Sequence, residues 1–113
     1  MAQLQTSEQD GVTVLRLAGE LTHEGVPQVE RAFVMTVSAA NRLVVDLSAV
    51  NMITTPGITM LIAADRQVRR RNGKCVICGL HGNVQQVLLE RCRLDVVLTL
   101  APDVPAAVTV AGG

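Results

Sequence analysis

A chain of 113 residues, 49% of them hydrophobic, can bury a core as a single domain over residues 1–113 without disulfide or metal staples. Ten basic side chains balance ten acidic ones, so no net field gathers nucleic acid, and with Phe33 as the single aromatic residue there is no base-stacking platform. No apolar run approaches the roughly 18 residues of a membrane span, and Met1-Ala2-Gln3-Leu4 lacks the charged and apolar regions of a signal peptide, so a cytoplasmic protein away from the membrane is expected.

Residues 3–6 read as an edge strand, and Gln9-Asp10-Gly11 as a turn whose Asp-Gly pair favours a hairpin. Val12, Val14 and Leu15-Arg16-Leu17 form a strand with one solvated face, which Gly19-Glu20-Leu21 ends. Thr22 or His23 opens a helix in which Val26, Val29, Phe33 and Val37 recur at three or four residues, with Pro27 in its first turn. Ser38-Ala39-Ala40-Asn41 closes that helix. Arg42 to Leu47, short, apolar and β-branched, is the central buried strand.

Thr55-Pro56-Gly57 signals the next helix. A threonine before proline is pushed away from helical backbone angles, which suits Thr55 as N-cap, and Pro56 at the first helical position loses only a donor that would have gone unpaired. The helix runs from about Pro56 to Arg71, with Gly57, Leu61, Ala64 and Val68 on one side and Thr59, Ala63, Arg66 and Arg70 opposite. Arg69-Arg70-Arg71 complements the dipole of its last turn and keeps the face soluble, and Asn72-Gly73 terminates it. Lys74 to Gly79 is a strand. Gly82 or Asn83 starts a third helix carrying Val84, Val87, Leu88 and Cys92, Val96 to Leu100 is a last strand, and Pro102-Asp103-Val104-Pro105 leads into a short final helix. Strands alternating with helices imply crossovers, hence an α/β fold: a mixed, mostly parallel sheet of four to five strands with about four helices packed on it.

Little of this sequence supports catalysis. Gly79-Leu80-His81-Gly82 has neither the glycine spacing nor the lysine of a phosphate loop, and no serine or cysteine is placed with a histidine in a nucleophile motif. Cys75 and Cys78 match C-x-x-C, but three residues apart on a strand they point to opposite faces and share neither a metal nor a disulfide; with Cys92 they read as free buried thiols. His23 and His81 fall in loops without a second ligand at useful spacing, so neither metal nor cofactor is expected. Asp46, at the end of its strand, is suited to holding loop amides.

Val44-Val45-Asp46-Leu47-Ser48-Ala49-Val50, a short turn, a hydroxyl residue and then Gly57-Ile58 opening a helix resembles the core signature of STAS domains, especially the stand-alone anti-sigma factor antagonists. Leu17-Ala18-Gly19-Glu20-Leu21 resembles the family's first loop, Arg70 through Leu80 its helix, turn and strand after the signature, and Val84 through Leu98 its third helix and last strand. The resemblance spans about residues 10–110 and implies a STAS-like fold and a non-enzymatic, bacterial partner-switching regulator of transcription. In that family the unphosphorylated antagonist binds an anti-sigma factor that is also a protein kinase, freeing the sigma factor; phosphorylation of the hydroxyl residue before the helix switches binding off, and a phosphatase restores it. Thr55 stands at the acceptor position. The family's aspartate just before the acceptor is Thr54 here, and the small hydroxyl residue after it is Pro56, which makes Thr54 the second choice.

Physical chemistry agrees with such a switch. A phosphate on Thr55 adds about −1.5 to −2 charges at a helix N-terminus, where amides and dipole accept it, while a docked partner would have to desolvate or repel it. Thr54, Pro56, Gly57, Thr59 and Ala63 around the helix start, with Met60 at the flank and the loop residues Glu20, Thr22 and His23 beside it, form the expected docking face. An alternative is a STAS subunit of a larger assembly, such as a lipid-transport ABC complex or a stressosome-type scaffold. A small-molecule or nucleotide sensor is a third reading for which no pocket-specific residues stand out.

Overall fold

Both faces of the central strand had to be covered for a run such as Leu43-Val44-Val45 to be stable in water, and the computed structural model, which describes residues 1–112, shows how. Five strands lie in the order β1 (Gln3–Gln9), β2 (Val12–Leu21), β3 (Arg42–Ile53), β4 (Lys74–Cys78), β5 (Thr99–Ala101). The β1–β2 hairpin is antiparallel and every other pairing is parallel. Three helical segments cover one face: α1 (Val26–Ala39), α2 (Thr55–Arg70) and α3 (Gly82–Gln85), the last continuing as a π-helical turn over Gln86–Arg91. The opposite face carries α4 (Val104–Gly112) alone.

The alternation along each strand sorts the core accordingly. Leu43, Val45, Leu47, Cys75 and Ile77 face the three-helix side with Phe33, Leu61 and Leu88; Val44, Val76 and Cys78 face α4 through Ala107, Val108 and Ala111. Cys75 and Cys78 therefore sit on opposite sides of the sheet. Burial pushes both thiols up to about 12, with Asp65 adding to the shift at Cys75 and Asp46 and Asp103 at Cys78. Cys92 departs from its expected burial: the π-helical turn ends before it, and it is exposed.

Several boundaries move. The first helix begins at Val26, because Thr22 Oγ1 accepts hydrogen bonds from the amides of Glu24 and Gly25 (3.3 and 3.2 Å) and turns the chain before the helix starts. β3 does not stop at Leu47 but runs to Ile53, paired with β2 across two register shifts that keep Val50 and Ile53 buried. The last strand is Thr99–Ala101, whereas Leu94–Val96 is a 3-10 turn with Val96 and Val97 exposed. Parallel pairing with β4 begins only at Thr99, so the apolar residues before it have no ladder to join.

Two of the three arginines, Arg69 and Arg71, tie elements together as well as facing solvent. Arg71 Nη2 donates to the carbonyls of Val37 and Ala40 (2.6 Å each), capping the end of α1. Arg69 reaches back to Asp65 (Nε to Oδ2, 3.3 Å) and donates to the Val97 carbonyl at 3.1 Å. With native protein, a thiol reagent such as dithionitrobenzoate should titrate Cys92 promptly, and Cys75 and Cys78 only on unfolding; prompt reaction of all thiols would refute this packing.

Candidate functional site

The start of α2 is held at the ends of two parallel strands. The Thr54 amide donates to the Leu21 carbonyl at 3.1 Å, joining the last residue of β2 to the end of β3. The Ile53 amide donates to Asn83 Oδ1 (3.1 Å), so α3 fastens the same corner from the other side. Thr54 is extended (φ −127°, ψ −175°), and its carbonyl accepts from the Ile58 amide at 3.1 Å, which makes Thr54 the N-cap residue, Thr55 the first residue of the helix and Pro56 the second. The expected cap at Thr55 is thus one residue late. No side chain caps the helix, so both threonine hydroxyls are uncommitted.

Gly57 explains how closely the helix approaches. A Cβ there would stand 2.7 Å from Ile53 Cγ1, Leu21 Cβ and the Leu21 carbonyl oxygen. The position therefore admits only glycine without movement of the backbone, and the glycine is buried beneath the helix start, away from any partner's reach. Met60 is likewise buried, at 6% exposure. Thr54, Thr55, Thr59 and Ala63 are exposed and Pro56 half-buried, so these five present the accessible surface of the expected set. Glu20, expected in the neighbouring loop, is instead an exposed residue near the end of β2, because it pairs with β3; in the loop that follows His23 is exposed, while Thr22 is half-buried and engaged with its own turn. Glu20 pairs in register with Met52, one strand residue before Ile53, which brings that loop beside the helix start.

One feature escaped the sequence reading. Between α1 and α2 runs a groove of about 360 Å³ with Phe33 and Met60 in its apolar lining, Val34 and Glu30 on one side and Thr55, Thr59 and Ala63 on the other. Val34 is 48% exposed although apolar, and it borders this groove. The signal available was the apolar Val34 standing beside Phe33, just outside the buried stripe of α1; nothing in the sequence said which helix would lie next to it.

The two buried carboxylates have structural partners. Asp46 (2% exposed) accepts from Arg16 Nε and from the Ser48 amide, both at 2.9 Å; because β3 continues past it, the amide it holds belongs to the strand and not to the loop expected there. Asp65 is as deeply buried; Oδ2 pairs with Arg69 while Oδ1 has no partner. Burial raises its carboxyl above the usual carboxylate range, against the opposing pull of Arg69 and Arg66. His81 Nε2 lies 2.8 Å from the Ser48 carbonyl oxygen, which occupies one ring nitrogen. Among the described residues no three of His, Cys, Asp and Glu gather as a metal site.

The sequence profile of the STAS domain matches residues 3–107. The chain belongs to the STAS domain family. The solved structures agree on the fold of this STAS domain. An anti-sigma factor antagonist from Mycobacterium paratuberculosis superposes with a TM-score of 0.88 at 24% identity, covering 100% of this chain and 96% of that one. An anti-sigma-factor antagonist (STAS) domain protein from Planctomyces limnophilus gives 0.80 at 19% identity, covering 98% of each chain. The Bacillus cell fate determinant SpoIIAA in its phosphorylated form gives 0.69 at 17% identity, covering 96% and 99%. No curated protein sequence matches this STAS domain.

Two substitutions separate packing from surface in this region. Gly57→Ala should lower stability by about 2 kcal/mol in denaturant titration, because the added methyl meets backbone. Thr55→Ala should change it by less than about 0.5 kcal/mol, since the exposed hydroxyl caps nothing. Arg69→Met should cost about 2 kcal/mol near neutral pH by leaving the Asp65 charge buried without its cation. Because the folded-state pKa of Asp65 is raised, it is the ionised form that is costly; part of the loss should fade as the pH falls through that raised pKa and Asp65 takes a proton. A pH-independent loss would show that only the Arg69–Val97 contact matters.

Proposed function

We propose that this STAS domain is an anti-sigma factor antagonist of the cytoplasm whose docking surface is the start of α2 with the adjoining α1–α2 groove, and that phosphorylation of Thr55 switches docking off. The observation that carries the reading is the position of Thr55: exposed, uncapped, at the first turn of α2 and on the lip of an apolar groove. An added phosphate there faces the positive end of a 16-residue helix, so the fold tolerates it. A partner covering the groove would have to strip water from about two negative charges, which opposes binding strongly.

In this reading the partner is an anti-sigma factor with kinase activity. It binds the unphosphorylated domain and releases its sigma factor, then transfers the terminal phosphoryl group of a nucleoside triphosphate to Thr55 Oγ1, the diphosphate leaving and the hydroxyl proton passing to the kinase. A phosphatase reverses the modification. Thr54, exposed and equally uncapped, is the second acceptor. Thr59 and Ala63 are small enough to let a partner approach the helix closely, Val34 offers apolar surface at the groove, and Glu20 and His23 flank the contact. The resemblance to SpoIIAA, whose structure is known in a phosphorylated form, is consistent with this chemistry.

Incubation of the protein with its kinase-type anti-sigma factor and nucleoside triphosphate should add a single phosphate, placed on Thr55 by fragmentation mass spectrometry. Thr55→Glu should weaken partner binding by at least about tenfold in calorimetry. Its melting temperature should stay near that of the parent. Unchanged intact mass, or undiminished binding by the glutamate variant, would overturn the assignment.

A further inference from the structure

β1 contributes little to the core, with Leu4 alone packing against it. Gln3-Leu4-Gln5-Thr6-Ser7-Glu8-Gln9 exposes every residue except the half-buried Leu4, and it lies at the end of the sheet with one edge unpaired. Proteins usually protect such an edge with proline, lysine, a bulge or a very short strand. β1 has none of these: it runs seven residues in unbroken register with β2 and carries Glu8 as its only charge.

We infer that the free edge of β1 pairs with β1 of a second copy, joining two five-stranded sheets into one across a twofold axis at Thr6. The register follows from the hairpin. Asp10 and Gly11, both at positive φ (51° and 78°), form a two-residue turn, which makes Gln9 and Val12 a hydrogen-bonded pair. Bonding alternates from there, so Gln9, Ser7, Gln5 and Gln3 bond to β2, while the amides and carbonyls of Leu4, Thr6 and Glu8 point away from it. Antiparallel pairing about Thr6 sets Thr6 opposite its own copy and Leu4 opposite Glu8. All six outward backbone groups of each strand then find partners. The charges cooperate, because each Glu8 faces a leucine and the two carboxylates stay at opposite ends of the ladder. Paired threonines at the axis are a favourable cross-strand match.

The side chains of the outward-bonding residues lie on the α1 face, since Leu4 and Thr6 stand opposite Leu17 and Leu15 of the larger core. Thr36 and Ala39 of α1 border the same cleft as Thr6 and Glu8, and Met35 beside them is 64% exposed. One strand edge with this flank buries less than a strong dimer needs, so the association is weak and concentration-dependent. It does not rest on the role given to Thr55.

Sedimentation velocity from low micromolar to millimolar protein tests the inference. The parent should pass from monomer to dimer over this range. Thr6→Pro removes an amide that points away from β2, so the hairpin should survive while self-association weakens by about tenfold or more. Thr6→Lys, which keeps the backbone intact and sets two like charges together at the axis, should do the same. It decides the matter should the proline variant misfold. A parent that stays monomeric at millimolar concentration, or a dimer undiminished in the folded variants, would overturn the inference.

Discussion

The whole functional end of this molecule depends on one close approach: the first turn of α2 lying directly on Leu21 and Ile53. Gly57 makes it possible, since any Cβ would meet Leu21 backbone at 2.7 Å. The hydrogen bonds from Thr54 to Leu21 and from Ile53 to Asn83 then fix the direction in which the chain leaves the sheet. Once that corner is set, the exposed threonines can point nowhere but outward, at the positive end of the helix. A surface hydroxyl is held in place by a junction that is almost entirely buried.

That division of labour suits the proposed switch, in which the surface changes charge. The core on the α2 side is apolar, and the two deep carboxylates, Asp65 on α2 and Asp46 on the α4 side of the sheet, are engaged with Arg69 and Arg16. The buried thiols are held protonated by their surroundings. None of these groups touches the groove beside Thr55. A phosphate added at the groove's lip would therefore change what can dock there while the interior packing stays as it is. The arginines at the far end of α2 serve architecture, Arg71 closing α1 and Arg69 holding the turn before β5.

The apolar periodicity of α1 and α2 was legible because it reports directly which side of a helix meets a core: Val29, Phe33 and Val37, or Leu61, Ala64 and Val68, are all buried. Opposite facing of Cys75 and Cys78 was equally legible, for strand alternation is a local property. The misreadings share a different cause. Whether β3 stops at Leu47 or continues to Ile53 depends on β2 lying alongside it, and whether Val96 and Val97 join a strand depends on where β4 ends. The N-cap shifted from Thr55 to Thr54 because the bond from Thr54 to Leu21 ended the strand one residue earlier than the proline alone suggested.

By itself the sequence determined the order and kind of most elements, the family resemblance, and the hydroxyl–proline–glycine step from strand into helix, because these follow from backbone chemistry and neighbours a few residues apart. Only the tertiary structure decided that Met60 at the flank lies beneath the surface, how closely Gly57 lets the helix approach Leu21 and Ile53, and that α1 and α2 leave a groove between them. Residues 3–6 already read as an edge strand, but that it runs on to Gln9 in unbroken register with β2 was decided by the assembled sheet. Burial and grooves arise where segments far apart in the chain meet, and a pattern of near neighbours carries no record of that meeting.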